Sequence, residues 1–172
     1  MQLVQGEAFD DLFRKAKTDA FHLEVQDSYE TPEESEPFRR FLDGQTDDYD
    51  WLQGWLGLVS ETTSRGVRVQ RARVVTLPHS DYVRWSLTVS AENTQAGEEI
   101  RYLPRHLIDS DALTADDWWL FDDQMLGFTI FEPGGRWAGA AVTTDPHIVS
   151  YARRVREQVW AAATPWLEYA RQ

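Results

Sequence analysis

The sequence contains no cysteine. That excludes disulfide scaffolds, thiolate metal centres and cysteine nucleophiles together. Lysine is almost missing as well: only Lys15 and Lys17 occur, and every other basic residue is an arginine. Positive charge is short overall, and the formal net charge is −12. Phosphate contacts dominate nucleic-acid affinity, so a chain this acidic is expected not to bind nucleic acid directly. No apolar run is long enough to cross a bilayer, so no membrane partner is expected. The opening segment, MQLVQGEAFDDLFRKAK, lacks the basic-then-apolar order of a secretory leader. A cytoplasmic location is the expectation. Internal repeats, low-complexity tracts and linkers are missing too.

Catalytic signatures are equally scarce. There is no GxxxxGK[ST] loop and no GxGxxG following a strand pattern, so a nucleotide-phosphate cradle is not expected. His22, His79, His106 and His147 are scattered, without HxH or HxxxH spacing. No metal and no cofactor are expected. There is no GxSxG elbow. His79, Ser80 and Asp81 are adjacent, but catalytic triads are assembled from different elements. No catalytic residue is assigned.

What is present indicates a globular domain. Of 172 residues, 42% are hydrophobic and 13% aromatic, with eight tryptophans. That length is one domain, spanning 1–172, able to bury a sizeable core. Phe9, Leu12, Phe13 and Ala16 recur at helical spacing, with acids early and bases late. AFHLEVQDSY alternates, which predicts a half-buried strand with Phe21, Leu23 and Val25 inward and His22, Glu24 and Gln26 outward. Thr31, Pro32 and Glu34 form a capping-box start, and Gly44 a stop. Trp51, Trp55, Leu58 and Val59 share a second helical stripe, ended by Gly66. VRVQRARVVT reads as a strand whose alternation breaks near Arg71 and Ala72, predicting a bulge or a partly covered edge. Residues 80–96 fit a helix capped by Ser80, with a strand as the alternative. EEIRYLPR is a short strand ending at Pro104.

The stretch DDWWLFDDQML sets four aspartates around an apolar strand, Trp118 to Phe121. The two pairs stand about 15 Å apart if extended, too far to share one ion. They read as polar strand ends. FDDQM is a tight turn, and EPGG is a second. Residues 118–143 therefore form an antiparallel meander. Asp145 and Pro146 then start a long helix with Ile148, Ala152, Val155 and Val159 on one stripe. The fold class is α/β, with α+β as the alternative: one mixed sheet with flanking helices.

The segments AFHLEVQDSY, RRFLDG, RVQRARVVTLPHSDYVRW, GEEIRYLPR, WWLFDDQML and DPHIVSYARRVREQVW together resemble a family of small actinobacterial proteins catalogued as a domain of unknown function. That resemblance spans nearly the whole chain. It implies a setting near helix-turn-helix regulators. SRGVRVQRARVV and TTDPHIVSYARRVREQVW also resemble parts of half a phospholipase D-like domain. The His-x-Lys-x4-Asp signature of that fold is not matched, so this likeness implies a non-catalytic version.

Three functions are open. The first is a non-enzymatic regulatory or protein-interaction module with a protein partner, such as a helix-turn-helix regulator. The second is a sensing domain for an anionic small molecule, because arginine suits bidentate anion recognition; Arg68, Arg71, Arg73, Tyr82, Arg84 and Arg101 are the candidate ligand or partner contacts. The third is an enzyme of unrecognised type. The clustered arginines have a plainer explanation as a solvated strand face that discourages edge pairing.

Overall fold

In the computed structural model, which describes residues 1–172, the chain runs β1 (Gln2–Val4), α1 (Glu7–Lys15), β2 (Asp19–Glu24), α2 (Pro32–Leu42), α3 (Gln53–Ser64), β3 (Arg68–Val75), α4 (Asp81–Gln95) and β4 (Glu99–Pro104). It continues through β5 (Trp118–Phe121), β6 (Met125–Phe131), β7 (Trp137–Thr143), α5 (Pro146–Ala162), β8 (Thr164–Pro165) and α6 (Trp166–Tyr169). All eight strands join one mixed sheet in the order β1-β7-β6-β5-β2-β3-β4-β8. β2, β3 and β4 are parallel, while β5, β6, β7 and β1 run antiparallel to their neighbours. The meander over 118–143 is the β5-β6-β7 part of this sheet.

Helices cover both faces. Strand side chains alternate between faces, so Phe21, Leu23, Ala72, Val74, Trp118 and Leu120 meet Val149, Ala152, Val155 and Val159 of α5. Each Val, Leu or Phe among them stabilises the fold by about 1.5–3 kcal/mol when fully buried. On the other face, Phe13 of α1 and Val59 of α3 pack on Ala20, Val69, Trp119 and Phe121. Val83 of α4 packs there on Val75, Ile100 and Tyr102.

The local start signals hold where they are backbone chemistry. Ser80 Oγ accepts from the Val83 N–H at 3.1 Å, so 81–95 is a helix. Asp145 Oδ1 accepts from the N–H groups of His147 and Ile148 at 2.9 and 3.2 Å. At α2 the capping box does not close: the Thr31 hydroxyl donates to the Glu34 carboxylate at 2.8 Å instead of capping the backbone.

Two strand expectations need correction. β2 is not half-exposed, because β5 and β3 flank it and helices cover both faces; every residue from Asp19 to Glu24 is buried. β3 is neither an edge nor bulged. It lies between β2 and β4 in unbroken parallel register, and Arg71 and Arg73 belong to the face that carries Val69 and Val75.

Candidate functional site

The same alternation that builds the core places polar groups at the middle of the sheet. His22 of β2 stands beside Arg71 of β3 on one side and Trp119 of β5 on the other. One step along, Glu24 stands beside Arg73. Asp117, just before β5, donates nothing to this row but closes its end. Its carboxylate accepts from the Val25 N–H at 2.7 Å and from the Tyr29 hydroxyl. This row is the floor of a cavity of about 370 Å³.

Ion pairs fix the floor. Arg71 donates to Glu24 Oε1 at 2.5 Å and, through Nε, to Glu98 Oε1 at 2.6 Å. Arg73 pairs with Glu24 Oε2. Glu98 is fully enclosed and also accepts from Asn93 Nδ2 at 2.8 Å and Trp55 Nε1 at 3.3 Å. Burial alone would raise the Glu24 pKa, but the adjacent Arg73 and Arg71 overcome it and hold it at about 2. His22 is lowered too, but for the opposite reason. Burial, reinforced by both arginines, lowers it to about 3, so the imidazole is neutral near pH 7.

Two further acids have no basic partner within ion-pair distance. Burial raises Asp117 to about 6, with Glu24 adding to the shift. Burial also raises Glu34, whose carboxylate accepts from the Tyr82 hydroxyl at 2.8 Å. Tyr29 and Tyr82 are both pushed well above the ordinary phenol value, first by burial. They are hydrogen-bond donors at any physiological pH.

The walls are aromatic. The His22 ring stacks on Trp119 with centroids 4.2 Å apart and planes 13° from parallel. Trp55 of α3 and Trp51 before it form the helical side, while Phe9 of α1 meets Trp137 edge-on at 5.0 Å. Phe131 and Trp137 reach the mouth from the β6–β7 hairpin. Gly135 sets that hairpin's position. Its φ is +82°, and a Cβ there would lie 2.4 Å from the Glu30 carbonyl oxygen, so only glycine lets the turn rest on the segment leading into α2.

Several buried polar atoms of residues that line the cavity have no hydrogen-bond partner, among them both ring nitrogens of His22, Arg73 Nε and Asn93 Oδ1. His22 Nδ1 lies 3.4 Å from Glu24 Oε1, but not in hydrogen-bonding geometry. Such atoms are uncommon in folded proteins, because each forfeits its solvation.

Of the residues singled out in the sequence, Arg71, Arg73 and Tyr82 line this cavity. Arg68, Arg84 and Arg101 lie elsewhere. Arg68 is exposed and pairs with Asp19 at 3.4 Å. Arg84 is exposed and pairs with Asp81. Arg101 lies over the Trp160 ring at 4.1 Å. Arg71 and Arg73 are not a solvated strand face, since α3, α4 and the cavity cover them. His22, Glu24, Asn93, Asp117 and Trp119 were missed. The available signal was charge matching: Glu24 on one strand answers Arg71 and Arg73 on another.

The reading of the four aspartates also changes. Only Asp116 is exposed. Asp122 accepts from the backbone N–H groups of Lys17, Thr18 and Asp19 at 2.8–3.2 Å, and Asp123 pairs with Arg156. They tie the β5–β6 turn to the segment before β2 and to α5 rather than keep a strand soluble.

No curated protein matches the sequence. Among solved structures, the chain is similar to that of TrmBL2, an archaeal chromatin protein whose structure is described as showing a novel mode of DNA binding. The TM-score is 0.48 and the identity 11%, over 90% of this chain and 48% of that one. The chain thus spans about half the length of that protein's chain. At such a score nothing of the chromatin protein's function carries over. The match does name a DNA-binding protein rather than a phospholipase D-like domain. The expectation that nucleic acid is not bound directly conflicts with it and is withdrawn. No helix is long and apolar enough to cross a membrane. A family model described as a domain of unknown function, DUF6879, matches residues 7–171, and the chain belongs to that family.

Proposed function

We propose that this chain is a small-molecule binding domain whose ligand sits between the central sheet and helices α1 to α4. One observation carries this reading: a cavity of about 370 Å³ whose aromatic walls enclose the buried polar side chains of His22, Glu24, Arg71, Asn93 and Asp117. Mostly apolar pockets with a few convergent polar groups are the usual form of ligand sites. An interaction surface has less support, because none of the eight tryptophans is exposed. The tryptophans serve the interior and the cavity. The non-catalytic, half phospholipase D-like relation belongs to the same proposal. The parallel β2-β3-β4 run, the antiparallel strands beyond it and the helix begun by Asp145 and Pro146 support it.

A thermal-shift screen of cellular metabolites tests the reading, run beside the variant Thr129→Trp. Thr129 lines the cavity while half-exposed, so the larger ring obstructs the cavity without touching the core. At least one compound should raise the melting temperature of the wild type, as binding to the folded state requires. The variant should lose that response. Equal shifts in both proteins would place the ligand somewhere other than this cavity.

A further inference from the structure

We propose that the ligand of this cavity is a flat aromatic amine that binds as a cation. The inference rests on the cavity being a ligand site and concerns which chemistry it admits.

The arginines make the cavity look suited to anions, but they are already neutralised. Arg71 faces the carboxylates of Glu24 and Glu98, and Arg73 faces Glu24. Two guanidinium groups thus meet two carboxylates. Asp117 and Glu34 remain, each lining the cavity, each mostly buried and each held only by neutral donors: Val25 N–H, the Tyr29 and Tyr82 hydroxyls and the Thr31 hydroxyl. An entering anion would meet these two acids with no free cation to offset them. An entering ammonium group supplies the missing counter-charge, and a buried ion pair of this kind is favourable only when both charges are matched. Glu33, exposed at the same cavity, adds a third acid without a basic partner.

The walls specify the rest of the molecule. Trp119 already stacks on His22 in parallel, and Trp51, Trp55, Trp137 and Phe131 present further ring surface. Aromatic faces attract cations and stack on flat rings.

Three probes of one size separate the possibilities: tryptamine, 3-ethylindole and indole-3-propionate. Isothermal titration at low salt should show tryptamine binding about tenfold or more tighter than neutral 3-ethylindole, in line with a desolvated ion pair and cation–π contact. The propionate should bind weakest. Glu34→Gln and Asp117→Asn should each shrink the tryptamine advantage and leave 3-ethylindole within about twofold. Should Asp117→Asn fail to fold, Glu34→Gln and the wild-type ranking decide the matter. Propionate binding best, or all three binding equally, overturns the cationic class while leaving the cavity a ligand site. No binding by any probe at millimolar concentration overturns the aromatic-amine class, and the cavity then stands or falls by the metabolite screen.

Discussion

The two faces of the central sheet come from the same strands and have opposite characters. Toward α5, β2 and β5 present Phe21, Leu23, Trp118 and Leu120, all fully buried. Toward α1–α4, the intervening residues are His22, Glu24 and Trp119, matched by Arg71 and Arg73 on β3. The first face is close-packed and needs only shape. The second is held by paired charges around a cavity. A protein that needed only stability would gain little from the second arrangement, since buried ion pairs are often no better than well-packed apolar residues. The polar face is therefore where the proposed site lies, and the apolar face is the platform beneath it.

The largest effect should come from unbalancing the polar face. Arg71→Ala leaves Glu24 and Glu98 short of their shared partner, and removing one member of a buried pair costs about 3–5 kcal/mol. Leu23→Ala, one residue away on the opposite face, should cost roughly 2–5 kcal/mol through its cavity yet keep ligand affinity. Urea unfolding measures both. An Arg71→Ala protein as stable as wild type would mean that the charge row does not hold the floor.

A second contrast lies within the polar face, between His22 and Asp117. The folded state holds His22 at about 3, against an ordinary 6.5. As pH falls through that interval the unfolded chain takes the proton first, so stability is lost. Asp117 is held at about 6, against an ordinary 3.8. There the folded state takes the proton first, so stability rises as pH falls from 6 toward 3.8. The two oppose each other over the shared interval, each by up to about 1.4 kcal/mol per pH unit. Relative to wild type, His22→Gln should therefore gain stability on acidification through this range, and Asp117→Asn should lose it. Thermal melts at half-unit pH steps give the comparison, and parallel trends in the two variants would refute it.

The smallest effect belongs to the platform's edge. Asp145→Ala removes two hydrogen bonds that start α5 and should cost about 1 kcal/mol. Because α5 lies behind the sheet, probe affinity should not move. A change in affinity would show that the two faces are coupled.

Much of the architecture was legible because its signals are local. Ser80 before α4 and Asp145-Pro146 before α5 act on backbone groups two or three residues away, so a single sequence displays them. The site was legible only in part. Alternation in AFHLEVQ states that His22 and Glu24 share a face, but water and a covering helix layer leave the same pattern. Arg71 and Arg73 were noticed as a break in a valine-rich strand, whereas their partners Glu24 and Glu98 lie far away in sequence. Asp117 looked like any acid at a strand end, and only the approach of Tyr29 and Val25 buries it. The two shortest strands, Gln2–Val4 and Thr164–Pro165, carry too few residues to show any period.

The position of β2 has a consequence for how quickly the site can form. β2 pairs with β3 on one side and, about a hundred residues further along the chain, with β5 on the other, and such distant pairings make folding slow. His22 and Trp119 meet across that second junction. The stacked floor of the cavity is therefore assembled only when the two ends of a long chain segment have been brought together. During refolding, quenching of tryptophan fluorescence by an added ligand should consequently appear in the slowest phase, after the helices have regained their circular dichroism.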